Sequence, residues 1–311
     1  MNVIFFVLFP YIAIFAPSLT KEKMVFTKKI SYLLLAMFMA LTAVNAQDVS
    51  WYDKLQYLKY TPRYFGPNAF SLPELQSGLI HNRWEAEVRG EYHVFEGDRT
   101  KDIYGRLYIP LVKNRVGFEV NYIFYEYYKM TQETANERNT AGTSWKEGAH
   151  GDMVVSFFYN VFQDSKLADV MLEAALSTAS GNRLADARYT DAATYWFDVN
   201  MGRYLYKNAD STAFIRVQGL AGFYCWMTNS IVHRQNDAFL YAAGMSGGFK
   251  NLTVYADLAG FYGYLNEGDR PLVLRTKLNY EYRKNIISFR YKHGIHDYLY
   301  DTFSASYIRC F

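Results

Sequence analysis

From Arg83 to the last residue, polar and apolar side chains trade places at almost every step along twelve segments. They span roughly 83–95, 102–112, 115–127, 152–162, 167–179, 194–206, 212–225, 238–249, 252–264, 271–283, 286–295 and 301–311. In 83–95, Arg83, Glu85, Glu87, Arg89, Glu91 and His93 alternate with Trp84, Ala86, Val88, Gly90, Tyr92 and Val94. In 271–283, Arg275, Lys277, Asn279 and Glu281 stand against Leu274, Thr276, Leu278 and Tyr280. A period of two puts successive side chains on opposite faces of a strand, so each segment reads as β with one polar and one apolar face. Each is also close to the roughly 9–11 residues that a tilted strand needs to cross a bilayer. Only 238–249 is poor in charge and rich in Gly, which leaves its facing open.

The connections alternate too. Lys113-Asn114, Gln163–Lys166, Lys207–Asp210, Lys250-Asn251 and Lys284-Asn285 are tight turns, whereas Gly97–Lys101, Tyr128–Gly151, Ser180–Ala193, Met227–Asp237, Asn266–Arg270 and His296–Tyr300 are longer. A soluble two-sheet protein shows the same period with its apolar face inward. Charge on the polar face, together with aromatics near strand ends on the apolar face, argues against that. Trp84, Tyr92, Tyr122, Phe124, Tyr159, Tyr195, Tyr262, Tyr280 and Tyr282 occupy such places. Half of the residues are hydrophobic and 18% aromatic, yet mean hydropathy is only −0.17, because apolar residues are interleaved rather than clustered. Tyr and Trp favour membrane–water interfaces. A net charge of +3 is too small to point to nucleic acid. Cys225 and Cys310 are expected to be free thiols, since two scattered cysteines make no disulfide scaffold.

The last segment, Asp301–Phe311, puts Phe303, Ala305, Tyr307 and Phe311 on one face and Thr302, Ser304 and Ser306 on the other. It resembles the terminal strand of bacterial outer-membrane β-barrel proteins. The resemblance implies an all-β, transmembrane, antiparallel up-and-down barrel of about twelve strands, with short periplasmic turns and long extracellular loops. It further implies that Phe303, Tyr307 and Phe311 signal to the barrel-assembly machinery, and that outer-membrane lipids and lipopolysaccharide surround the wall. An even strand number returns both ends of the barrel to the periplasmic rim.

The amino-terminal region reads as targeting sequence. Lys28 and Lys29 precede the apolar run Ile30–Ala43, and Val44-Asn45-Ala46 offers a cleavage site before Gln47. This is the pattern of a secretory signal peptide over 24–46, with 1–23 an over-extended start. Residues 47–82 then form either a small plug in the lumen or a periplasmic extension against the rim, with the barrel at 83–311.

Projecting the strands onto their polar faces gives candidate pore-lining residues. The basic ones are Arg83, Arg89, Arg106, Arg216, Arg275, Lys277, Arg290 and Lys292; the acidic ones include Glu85, Glu87, Glu91, Asp102, Glu119, Asp152, Asp169, Glu173, Asp198, Asp257 and Glu281. Acids dominate one arc (Glu119, Asp152, Asp169, Glu173, Asp198), and cations the opposite one (Arg275, Lys277, Arg290, Lys292). Opposed walls of charge set up a transverse field across a narrow lumen, similar to a porin constriction. A sealed interior of salt bridges would use the same residue types, and about twelve strands fall between filled and aqueous barrels.

None of His81, His93, His150, His233, His293 and His296 begins an H-x-S sequence, the two-apart spacing by which lipid hydrolases of this class place nucleophile and base. No cofactor, phosphate-loop or metal motif is expected, although Asp186 and Asp191 in a polar loop could hold a divalent cation. The expected function is a narrow passive channel for small polar or charged solutes. A lipid-modifying hydrolase and a structural or adhesive barrel are the alternatives.

Overall fold

The computed structural model describes residues 55–142, 146–163 and 167–311. The targeting reading of 1–46 falls outside them. Thirteen strands follow in order: β1 (Glu85–Phe95), β2 (Asp98–Val112), β3 (Val116–Met130), β4 (Lys146–Ala149), β5 (Met153–Phe162), β6 (Asp169–Ser177), β7 (Thr194–Lys207), β8 (Ala213–Met227), β9 (Gln235–Phe249), β10 (Leu252–Gly263), β11 (Leu272–Tyr282), β12 (Asn285–His296) and β13 (Asp301–Cys310). Each long strand pairs antiparallel with its neighbours in sequence, and β13 pairs with β1 from Cys310↔Glu85 to Asp301↔Val94. Twelve strands thus close a barrel, which leaves no unpaired edge. Short β4 extends the wall by pairing with the end of β3. The tight turns expected from the sequence lie on one rim, here the turn rim; the other connections, among them the two-residue link between β1 and β2, lie on the other, the loop rim. Both barrel ends reach the turn rim, where the Phe311 amide donates to the Trp84 carbonyl (3.0 Å).

Two connections differ from expectation. Gly97–Lys101 is not a loop, because β2 begins at Asp98 and only Glu96-Gly97 link it to β1. Asp98 and Thr100 point in while Arg99 and Lys101 point out, so polar residues on both faces hide the strand from a hydropathy reading. The stretch from Tyr128 onward is likewise less open than expected. β3 runs on to Met130, and a helical turn, α1 (Gln132–Glu137), follows, its first turn capped by Thr131, whose hydroxyl accepts from the Thr134 amide (3.2 Å).

The apolar face is turned outward. Val88 is 60% exposed and Tyr307 50%, whereas Arg89 between the strands' apolar residues is 7% exposed. Exposing such a belt to water would be costly, and lipid is the environment that removes the cost. On β9, Asn236, Ala238, Leu240, Ala242 and Ser246 are buried and Phe239 and Met245 exposed, which settles the facing of that strand. A β-bulge opposite Ile103/Tyr104 lets both Phe124 and Tyr125 face outward. Parity flips there, so Glu119 and Asn121 point in below the bulge and Glu126 and Tyr128 point in above it.

Residues 55–82 lie inside the barrel. At the loop rim the Arg63 amide donates to Gly268 O (3.2 Å) and the Gly66 amide to Ala187 O (2.8 Å). Mid-lumen, Arg275 donates to Pro73 O (2.8 Å) and Arg216 to Ser77 O (2.5 Å). At the turn rim, Tyr108 donates to His81 O (3.1 Å) and the Asn82 side chain pairs with Asn114. The segment therefore descends the whole lumen before entering β1. The segment lies close against the wall at Gly78, where φ is +81° and a Cβ would fall 2.5 Å from Asp169 O.

Candidate functional site

The loop half of the interior is not polar throughout, contrary to a simple lumen-facing projection. Leu55, Leu58, Tyr60, Phe65, Ala69 and Phe70 of the lumen segment pack with Trp196, Leu220, Tyr224, Trp226, Leu240 and Phe261 of the wall. Phe70 meets Trp226 edge-on at 5.7 Å, and Tyr224 stacks on Phe261 at 4.7 Å. Above this apolar layer a buried ionic network ties the loops together. Asp98 accepts from Arg188 (2.5 Å), Arg138 (2.9 Å) and Tyr300 (2.7 Å). Arg188 also donates to Glu126 (2.8 Å), whose other oxygen accepts from Tyr189 (2.8 Å) and Asn68 (2.9 Å). Each buried charge thus meets opposite charge and hydrogen bonds, the condition under which burial is tolerated.

The turn half is different. Arg106 donates to Glu85 (2.8 Å), Glu87 (2.8 Å) and Glu119 (2.9 Å). Arg89 reaches Glu87 (3.4 Å) and Glu91 (3.3 Å), with its guanidinium over the Tyr104 ring. Arg83 pairs with Glu281 (2.6 Å) and Glu85 (3.3 Å) near the rim. On the basic arc, Arg275 donates to Asp257 (2.7 Å) and Arg290 to Glu74 of the lumen segment (3.0 Å). Lys277 and Lys292 stand 3.9 Å from Glu74 and Glu91. Arg89 Nε, Arg275 Nη2 and Arg290 Nε have no protein acceptor. Arg83, Glu85, Arg89, Glu91, Arg106, Arg275, Lys277, Arg290 and Lys292, with Phe70 and Trp196 from the loop half, line a cavity of about 260 Å³ that runs beside the lumen segment.

Ring order places β5 and β6 six strand steps from β11 and β12, that is, diametrically across. The opposed arcs exist in position, but much of their charge is paired locally instead of facing across open lumen. On the acidic side Asp169 pairs with Arg216 (2.5 Å) and Glu119 with Arg106. Glu173 accepts from Trp196 (3.2 Å) and Asp198 from Asn200 (2.5 Å), leaving one oxygen of each carboxylate without a protein donor. Asp152 lies in the connection before β5, not on the strand, and accepts from the Gly181 amide (2.6 Å). Glu74, the carboxylate at the centre of the basic arc, escapes any strand projection because it sits in the segment ahead of the barrel. The same holds for Asn68. Phe303, Tyr307 and Phe311 are all outward and exposed.

Glu91, His93 and Asp102 bring ligand atoms within 4.8 Å of one another. His93 also joins Thr302 (2.8 Å) to Asp102 (2.7 Å), a hydroxyl–imidazole–carboxylate line. Arg89 and Lys292 flank Glu91, which opposes a cation, and Thr302 and His93 are wholly buried. The line therefore works as a brace between β1, β2 and β13. Asp186 accepts from the Tyr128 hydroxyl, and neither it nor Asp191 belongs to the group of three candidate metal ligands found among the described residues. Cys225 and Cys310 are free and buried.

No family model matches the chain, and no curated protein matches its sequence. Solved structures do match. An outer membrane channel from Pseudomonas putida F1 superposes with a TM-score of 0.53 at 11% identity, covering 78% of this chain and all (100%) of that one. The fold is that of an outer-membrane β-barrel. Less alike are the KdgM porin (TM-score 0.45, 10% identity, 72% of this chain and 99% of that one) and the transport unit of the autotransporter AIDA-I from Escherichia coli (0.45, 9%, 81% and 99%).

Proposed function

We propose that this outer-membrane barrel is a narrow passive channel for small polar or charged solutes, partly filled by its own amino-terminal segment. The carrying observation is the cavity of about 260 Å³ beside the lumen segment, whose lining includes Arg89, Arg106, Arg275, Lys277 and Arg290. That volume lies just below the roughly 300–1,000 Å³ typical of ligand pockets, so only small solutes fit. In this reading the turn rim faces the periplasm and the loop rim the exterior. The chain is exported by a signal peptide cleaved after Ala46. Barrel-assembly machinery inserts it through Phe303, Tyr307 and Phe311, and lipids and lipopolysaccharide meet its wall.

The buried network around Asp98 and Arg188 favours a second reading, a structural or adhesive barrel whose loops bind a partner. Recordings from refolded protein in planar bilayers separate the two. Discrete conductance steps support a channel; a silent, correctly folded barrel supports the structural reading. A lipid-modifying hydrolase would instead turn over phospholipid in reconstituted vesicles.

A further inference from the structure

We infer that Lys277, Arg290, Arg275 and Lys292 form a carboxylate-binding subsite, and that Glu74 occupies it as a ligand supplied by the chain itself. This deepens the channel reading and rests on it for biological meaning, though not for its test. Glu74 is placed as a bound carboxylate would be. One oxygen accepts from Arg290 Nη1 at 3.0 Å and the other lies 3.9 Å from Lys277 Nζ. It belongs to no strand, and 48% of its side chain remains exposed to the cavity, so it is reachable from within the lumen.

The surrounding cations are not used up by the wall. Arg290 has only a long contact to Glu87 (3.5 Å) besides Glu74, and its Nε has no protein acceptor. Arg275 spends two donors on Asp257 and Pro73 O and has Nη2 left over, though the residue is only 7% exposed. Lys292 is held by Glu91 only at 3.9 Å. Two planar forks and two ammonium groups around one opening suit a carboxylate, whose two oxygens accept charge-assisted hydrogen bonds from both kinds of donor. If Glu74 withdraws, Lys277 loses its near acidic partner and the arc carries excess positive charge. A small carboxylate-bearing solute then takes its place. The subsite sits where the channel is lined by charge, so it would select which solutes dwell there.

Succinate is a suitable probe, measured by calorimetry on the full refolded chain in detergent micelles. Glu74→Gln keeps the side-chain shape and removes the competing charge, so succinate should bind the variant at least tenfold more tightly than the unsubstituted chain. Adding Lys277→Met to Glu74→Gln should reverse that gain, and Arg290 is left in place to protect folding. Equal affinity with and without Glu74, or a gain that survives Lys277→Met, overturns the subsite. So does the absence of binding heat in every variant. Because this readout involves no flow, the two proposals fail separately. A barrel that binds succinate without conducting would sink the channel alone, and one that conducts without sensing succinate would sink the subsite alone.

Discussion

The loop half and the turn half of the lumen are lined by the same strands and crossed by the same segment, yet they are built on opposite plans. In the loop half, aromatics from segment and wall interlock, and the charges above them, Asp98, Glu126, Arg138 and Arg188, take partners from several elements. In the turn half, charges are more numerous, several pairs are stretched to 3.3–3.9 Å, and Arg89, Arg275 and Arg290 each keep a donor without a protein acceptor. The loop half is not fully satisfied either, since Tyr224 Oη and Asp186 Oδ1 lack a protein partner; the contrast lies in its multiply bonded charges against the looser pairs below, which leave cations open to a ligand. On the proposed channel reading, apolar packing anchors the segment in the upper half, while in the lower half, where polar bonds also hold it, the charges meet the solute.

The largest effect should come from stripping the loop half of its central cation. Arg188→Ala leaves Asp98 and Glu126 buried beside one another with fewer partners, which should cost about 3–5 kcal/mol in denaturant unfolding from micelles. Next, Phe65→Ala removes a wholly buried ring that packs against Tyr60 and Phe70. That should cost about 3 kcal/mol, at the low end for a buried Phe. If either variant unfolds like the unsubstituted chain, the loop half is not the anchor described here.

The turn half should respond in selectivity more than in stability. Replacing Arg275, Lys277, Arg290 and Lys292 with Ala leaves the acids of the opposite wall in charge of the lumen. The reversal potential in a salt gradient should then move several-fold toward cation permeability; no movement would deny those residues a place along the ion path. Lys277→Met alone should change stability by less than about 1 kcal/mol, because a loose, cavity-exposed ion pair contributes little. A larger loss would erase the contrast between the halves.

The smallest effect is one of pH. Asp186, in the connection before β7, is buried under the Tyr128 hydroxyl, and that burial raises its pKa above the ordinary carboxylate range. The folded chain therefore holds this proton more tightly than the unfolded chain. Its contribution to stability is present at low pH and fades as pH rises through the raised value. Asp186→Asn should flatten that part of the stability–pH curve, and an unchanged slope would assign it to other groups.

Much of this barrel was legible because lipid outside and water or charge inside enforce a strict period of two. The expected segment 301–311 matches β13 within a residue, and 252–264 matches β10 as closely. Legibility failed where that contrast fades. Along Asp98–Lys101 both faces are polar, so the strand looked like a loop. Trp196, Tyr224, Trp226 and Phe261 face inward although apolar, because the segment gives them an apolar partner, and a single strand carries no sign of what fills the lumen opposite it. The bulge at Phe124 changes parity with no Gly or Pro beside it on its own strand to announce it; Gly105, which makes room for the Phe124 ring, lies on β2. Glu74 was missed for a related reason. Its role depends on cations some 200 residues downstream, Arg290 being 216 positions away, and local pattern holds no trace of such a pairing.

Conductance of the unsubstituted chain beside that of a Phe65→Ala, Phe70→Ala double variant, both confirmed as folded barrels, tests the division of labour most directly. Small discrete steps from the first and larger steps from the second are expected, because loosening the aromatic anchor frees the segment from the passage. Silence from both proteins, or steps of identical size, would contradict a lumen held in one half and open to solute in the other.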